Sequence, residues 1–195
     1  MKLCGVALTA AVGENVVFTR ALGDGALRYN RFTPSDAVRQ GIMMTAVSIF
    51  AALSGWLGET FVDRFYPMPV HLRPPVYLFI FSIFFAVGHA LLLHIPALAP
   101  WRKQSTLHPI IVFGYIPVAT MLLVGYGTYT VAEALVYGLG VGVGYLLAML
   151  LTYVLRERSL FSQVPKAFQG LPVALLYTGL VSLALFGLLG HQPAL

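Results

Sequence analysis

Four sets of residues in this chain of 195 have types and spacings that could do chemistry. Glu14 and Asn15, with Arg20 one to two turns on, sit inside an otherwise apolar stretch. At the centre of a membrane span a carboxylate costs about 2.5–3.5 kcal/mol on insertion scales, so it calls for a partner or a function. One reading makes Glu14, Asn15 and Arg20 a polar point on an ion or electron path. The other pairs or neutralises Glu14 in a helix interface, with Arg20 reaching back from the cytoplasmic end. His89, His94 and His108 suggest haem or metal. However, the first two are five apart and share no helix face well, so interfacial histidines near a loop are the simpler account. The single cysteine, Cys4, excludes an internal disulfide and any zinc or iron–sulfur site built from several cysteines of this chain. Gly138, Gly140, Gly142 and Gly144 form two overlapping small-xxx-small pairs, which let another helix backbone approach closely. A nucleotide-binding glycine loop does not fit, because no strand precedes the run and its flanks are apolar. No Ser/His/Asp or Cys/His arrangement has hydrolytic spacing. No residue is therefore assigned as catalytic or as a metal ligand, and an intramembrane hydrolase is a minor reading.

The elements that carry these residues are membrane helices. Hydrophobic residues make up 58% of the chain and charged ones 10%, with mean hydropathy +0.83, whereas a soluble domain carries about 25% charged residues. There is too little polar surface to coat a water-soluble globule. The net charge of +5 comes from bases in short loops, without a basic patch or aromatic-basic interleaving, so nucleic acid is not a partner. A spanning helix needs about 20 apolar residues. Candidates lie near 3–22, 37–57, 76–95, 109–126, 131–155 and 172–190. The first is interrupted by Gly13-Glu14-Asn15 and the fourth by Pro109, Gly114 and Pro117, so both are expected to be broken or half-spanning. The apolar run after Lys2 continues past Val17, which favours an uncleaved first segment over a signal peptide.

The expected fold is thus all-α and integral to the membrane, one domain over 1–195 with six segments. Of the twelve Lys and Arg, only Lys2, Arg64 and Arg73 fall on the side of the N-terminus. The other nine lie in the loops after segments one, three and five. The positive-inside rule then puts both termini outside and those loops in the cytoplasm. Arg156, Glu157 and Arg158 read as a charged cytoplasmic cap that orients the fifth helix. A faint repeat relates Ala37-Val-Arg-Gln-Gly41 to Ala134-Leu-Val-Tyr-Gly138, 97 residues later. Three spans separate equivalent positions, so the second copy enters from the opposite side. That makes two inverted three-helix repeats, about 1–97 and 98–195.

Tyr137-Gly138, then Leu155-Arg156-Glu157-Arg158, then Val164-Pro165-Lys166-Ala167-Phe168-Gln169-Gly170 leading into a last apolar helix, resemble the C-terminal third of one family. That family is the six-helix membrane subunits of the Rnf and Nqr redox-driven ion pumps, on its RnfA and NqrE side. Gly13-Glu14-Asn15-Val16-Val17 with Arg20-Ala21-Leu22-Gly23 is similar to its N-terminal Asn-Asn-Phe-Val and Lys-Phe-Leu-Gly element. The middle, about 58 to 108, matches weakly. The resemblance implies six helices in inverted repeat, partly spanning first and fourth helices, and an outward N-terminus. It also implies a related six-helix partner forming a pseudo-symmetric pair, with an intramembrane iron–sulfur cluster held by one cysteine from the first helix and one from the fourth helix of each member of the pair.

This sequence departs from that pattern where the cluster would bind. Gly25 stands at the first cysteine position and Tyr115 at the second, Cys4 lies too far upstream to substitute, and Glu14 replaces the first of the paired asparagines. The resemblance implies a bacterial inner-membrane, multi-pass subunit of an Rnf/Nqr-type complex that couples electron transfer to Na+ or H+ translocation, degenerate at its cluster site and not catalytic alone. Iron–sulfur cluster and flavin are expected in partner subunits, with no cofactor bound by this chain alone. The alternatives are a repurposed non-redox transporter component and a structural or assembly protein.

Overall fold

In the bilayer interior every backbone amide and carbonyl must find its partner within the protein, which favours helices throughout an apolar chain. The computed structural model describes residues 2–13, 15, 17–19, 34–65, 69–94, 115–161, 165, 168 and 171–189, and these contain helices and turns but no strand. The helices are α1 (Lys2–Leu8), continued by a π-helical segment Thr9–Gly13, α2 (Pro34–Phe65), α3 (Arg73–His94) after a 3-10 turn at Val70–Leu72, α4 (Tyr115–Tyr126), α5 (Val131–Phe161) and α6 (Leu171–Leu189). Within α2 and α5, Gln40–Val62 and Val131–Val154 are long and apolar enough to cross a membrane. Shorter apolar stretches occupy α1 with its π extension, α3, α4 and α6.

Two elements run further than hydropathy predicts. α2 extends to Phe65 through Glu59, Thr60 and Arg64, and α5 to Phe161 through Arg156, Glu157 and Arg158. A helix continues beyond its apolar stretch while its residues remain good helix formers, and nothing in these extensions breaks it. The charged cap expected after the fifth segment is therefore the last turns of α5 itself, with Glu157 and Arg158 exposed. α5 starts at a capping box. The Glu133 carboxylate accepts from the Thr130 amide and hydroxyl, both at 2.9 Å, and the Glu133 amide donates to the Thr130 hydroxyl at 3.4 Å.

The residues form two compact units, 1–45 with 140–195, and 46–139. In the second, Ala51 and Val62 of α2, Tyr77 and Phe81 of α3 and Met121 of α4 make a fully buried cluster. Gly55 lets α2 approach the Met121 carbonyl directly. The ring of Tyr77 is held between the backbones of Gly58 and Gly125, where added Cβ atoms would strike its two edges. Its hydroxyl donates to the Gly125 carbonyl at 3.1 Å, satisfying one of the carbonyls that the end of α4 leaves open. In the first unit, α1 and its π extension lie on α5, α5 packs on the start of α2, and the Ser182 hydroxyl of α6 donates to the Phe18 carbonyl at 2.6 Å.

The alternate glycines of α5 follow from helix geometry. Successive residues turn by about 100°, so positions two apart point to opposite sides and positions four apart to the same side. Gly140 and Gly144 meet Ala7, Ala10 and Ala11 of the first helix, whereas Gly142 meets Thr45 and Gly138 meets Ser48, Ile49 and Ala52 of α2. Gly41 of α2 in turn meets Leu146. A third face carries Leu139, Val143, Leu147, Leu151 and Val154, all exposed. Such a face suits lipid or partner helices rather than water.

Replacing Gly142 by Ala drives a methyl into the backbone and side chain of Thr45. The purified protein should lose about 1–3 kcal/mol of stability. Gly179→Ala, whose added carbon meets nothing within 4 Å, should leave the thermal unfolding midpoint in detergent unchanged.

Candidate functional site

The first helix is interrupted where its sequence turns polar, and Asn15 makes the interruption possible. A carboxamide offers two donor hydrogens and an acceptor oxygen, and in this chain all are used. Asn15 Nδ2 donates to the Ala11 carbonyl at 2.8 Å and to the Gly144 carbonyl of α5 at 3.0 Å. Its Oδ1 accepts from the amides of Val17 at 3.0 Å and Phe18 at 3.4 Å. Its own carbonyl receives the Thr19 amide at 2.8 Å and the Thr19 hydroxyl at 2.7 Å. Asn15 thus satisfies one open carbonyl of the helix that ends at Gly13 and caps the turn that begins at Val17, while tied to α5. It is 4% exposed, within reach of α5 because Gly144 has no side chain to hold it off.

The helical run before the break comprises seven α and five π residues, about 18 Å at the α-helical rise against about 30 Å of hydrocarbon. α4 has 12 residues and is equally short. A π segment is rare and marks a place where the regular ladder has yielded to a local demand. Here it directly precedes the Asn15 break.

Of the other residues singled out by sequence, Glu14, Arg20, Gly25, His108, Pro109 and Gly114 lie outside the described residues. Tyr115 is the first residue of α4 and 72% exposed. Pro117 sits in the first turn of α4, where its missing amide costs no helical bond. His89 falls within α3 and His94 ends it, exposed. Cys4 is exposed on α1, eleven residues before Asn15. The structure therefore joins Asn15 to Gly144 and the glycines to their neighbours.

Sequence reasoning missed Tyr77, Ser48 and Ser182. Tyr77 looked like one more aromatic in an apolar run, although Arg73 four residues earlier and Glu59 both lie within electrostatic reach of its hydroxyl. The available signal was a tyrosine where phenylalanine would pack as well. Ser48 and Ser182 carried none, since serine is common in membrane helices and its partners belong to other elements.

An iron–sulfur cluster needs thiolate or, in some centres, imidazole ligands. The side chains at the two positions indicated by the family resemblance do not fit it, because Gly25 has no donor and Tyr115 presents an exposed phenol. The one thiol, on Cys4, is on the first helix well before the break. Among the described residues no three His, Cys, Asp or Glu side chains gather as ligands.

Asn15→Ala removes four hydrogen bonds and strands the Val17 and Phe18 amides in a buried place. Each stranded group costs about 1–3 kcal/mol. The variant should show a lower unfolding midpoint and faster proteolysis near residue 15. Asn15→Asp keeps the acceptor but loses both donations, and should be destabilised at neutral pH.

A profile of the Rnf-Nqr subunit family, described as membrane protein, matches residues 3–191. The chain is 30% identical over 184 residues to a subunit of the ion-translocating oxidoreductase complex of Glaesserella parasuis, covering 94% of both proteins. The same identity and coverage relate it to the like-named protein of Actinobacillus pleuropneumoniae. It is also 27% identical over 193 residues to a subunit of the Na(+)-translocating NADH-quinone reductase of Psychromonas ingrahamii, covering 96% of this chain and 79% of that protein. Matched from one end to the other and built of apolar helices, the chain belongs to the Rnf-Nqr family of membrane subunits.

Proposed function

We propose that this chain is a membrane subunit of an Rnf/Nqr-type complex that couples electron transfer to translocation of Na+ or H+. The observation that carries this reading is the end-to-end match to subunits of ion-translocating oxidoreductases, 94% of both chains for the Glaesserella protein. Its work in such a complex is to hold membrane architecture. The lone, exposed thiol and the residues at positions 25 and 115 leave it without a ligand pair of its own. Cluster and flavin belong to partner subunits, one of them a related six-helix chain.

Three features support the finer architecture. The two short helical runs, Lys2–Gly13 and Tyr115–Tyr126, suit partly spanning first and fourth helices. The 97-residue offset between Gly41 and Gly138 carries the contact of Gly41 with Leu146 onto that of Gly138 with Ile49, and returns the contact of Thr45 with Gly142 to itself. Self-consistency of that kind favours two inverted repeats. The excess of Lys and Arg in alternate loops favours both termini outside a bacterial inner membrane.

The second reading is a repurposed transporter component without redox chemistry, favoured by the lone cysteine and by Glu14. Purification from the native membrane with identification of co-purifying chains separates the two. Flavin- and iron–sulfur-carrying subunits should accompany the protein; recovery alone and iron-free would sink the complex reading. In that event Glu14→Gln should reduce flux in a transport assay.

A further inference from the structure

In a helix surrounded by apolar groups, a serine or threonine hydroxyl ordinarily returns to the carbonyl three or four residues back. Six helical hydroxyls among the described residues follow that habit. Thr45 donates to Gly41, Ser54 to Ala51, Thr60 to Trp56, Ser82 to Leu78, Thr120 to Ile116 and Thr152 to Ala148, all between 2.7 and 2.9 Å. Ser182 instead reaches across to the Phe18 carbonyl, and Ser48 does neither. It is wholly buried, yet its hydroxyl has no hydrogen-bond partner among the described residues. It lies three residues from the middle of the Gln40–Val62 span, so about 4.5 Å from mid-depth. Opposite it α5 presents Gly138, with no side chain, against the backbone of Ser48 and Ile49 and the methyl of Ala52.

A bare hydroxyl at that depth is costly, because the surrounding hydrocarbon offers nothing to bond with. Alanine would fill the same volume without the cost. A buried hydroxyl is instead satisfied by an occupant that both donates and accepts. We propose that the Ser48 hydroxyl of α2 takes a water molecule, a hydration point near the middle of the membrane. This rests on reading the chain as part of an ion-translocating complex, where water at mid-depth serves the passage of a cation or proton. A hydroxyl there both accepts from water and donates to it, so it can hold a water in either orientation without adding charge.

The test places single cysteines in a Cys4→Ser background, expressed with the native partner subunits, and treats the membranes with the small water-soluble reagent methanethiosulfonate ethylammonium. Ser48→Cys should react at least about tenfold faster than Ser54→Cys, since only a thiolate reached by water is nucleophilic; Ser54 is equally buried but bonded to its own helix. Equal rates at both positions, or no reaction at either, would overturn the proposal. A second measurement does not depend on cysteine. Ser48→Ala should leave the unfolding midpoint unchanged or lower it, whereas a gain of about 2 °C or more would mean the hydroxyl is simply bare. Neither readout requires the complex to be intact, so a chain that purifies without partners but labels at position 48 would retain the water site and lose the complex reading.

Discussion

A backbone in hydrocarbon has no solvent to complete its hydrogen bonds, and the rest of this structure depends on that constraint. Where a helix runs unbroken the constraint is met automatically. Where it stops inside an apolar segment, some side chain must stand in for the missing turn. Asn15 does this with one carboxamide, which closes the helix behind it, caps the turn ahead and ties both to the Gly144 carbonyl. Tyr77 serves the same end for α4, donating to the Gly125 carbonyl from a neighbouring helix. Each tie reaches its partner where a glycine permits close approach, Gly144 in one case and Gly125 in the other.

Between helices, shape rather than hydrophobicity decides the packing, since lipid tails are as apolar as leucine. The alternate glycines of α5 serve two neighbours at once because their spacing divides them between two sides of one helix. The first-helix alanines fill one side and the Thr45–Ala52 stretch of α2 the other. The third face keeps its leucines and valines outward. A glycine moved by one residue would face a different neighbour, so the spacing as well as the number of small residues carries the information.

Much of this was legible beforehand. An all-helical membrane chain was predicted, and the described residues hold helices and no strand, two of them long and apolar enough to cross a membrane; the interruption of the first helix was predicted at Gly13-Glu14-Asn15, and the helical run ends at Gly13. The family resemblance, read from motifs such as Tyr137-Gly138 and Val164-Pro165-Lys166, agrees with the family match over residues 3–191. Helix ends were less legible. Hydropathy sees only the apolar part of a helix, so the polar last turns of α2 and α5 were left out. The glycine run was read as packing, but which glycine meets which helix was not.

Composition and local order by themselves determined that the chain enters a membrane, which segments are helical and where the first is interrupted. These follow from transfer energies and backbone propensities, which act residue by residue. Tertiary structure decided the rest. Whether Asn15 is a free polar group or a fully bonded staple depends on a carbonyl 129 residues away. Whether Tyr77 differs from phenylalanine depends on the end of another helix. Ser48 is set apart from Ser54 only by what each hydroxyl meets. Hydrogen bonds are directional and short, so their partners are settled by how the helices pack and not by the order of residues along any one of them.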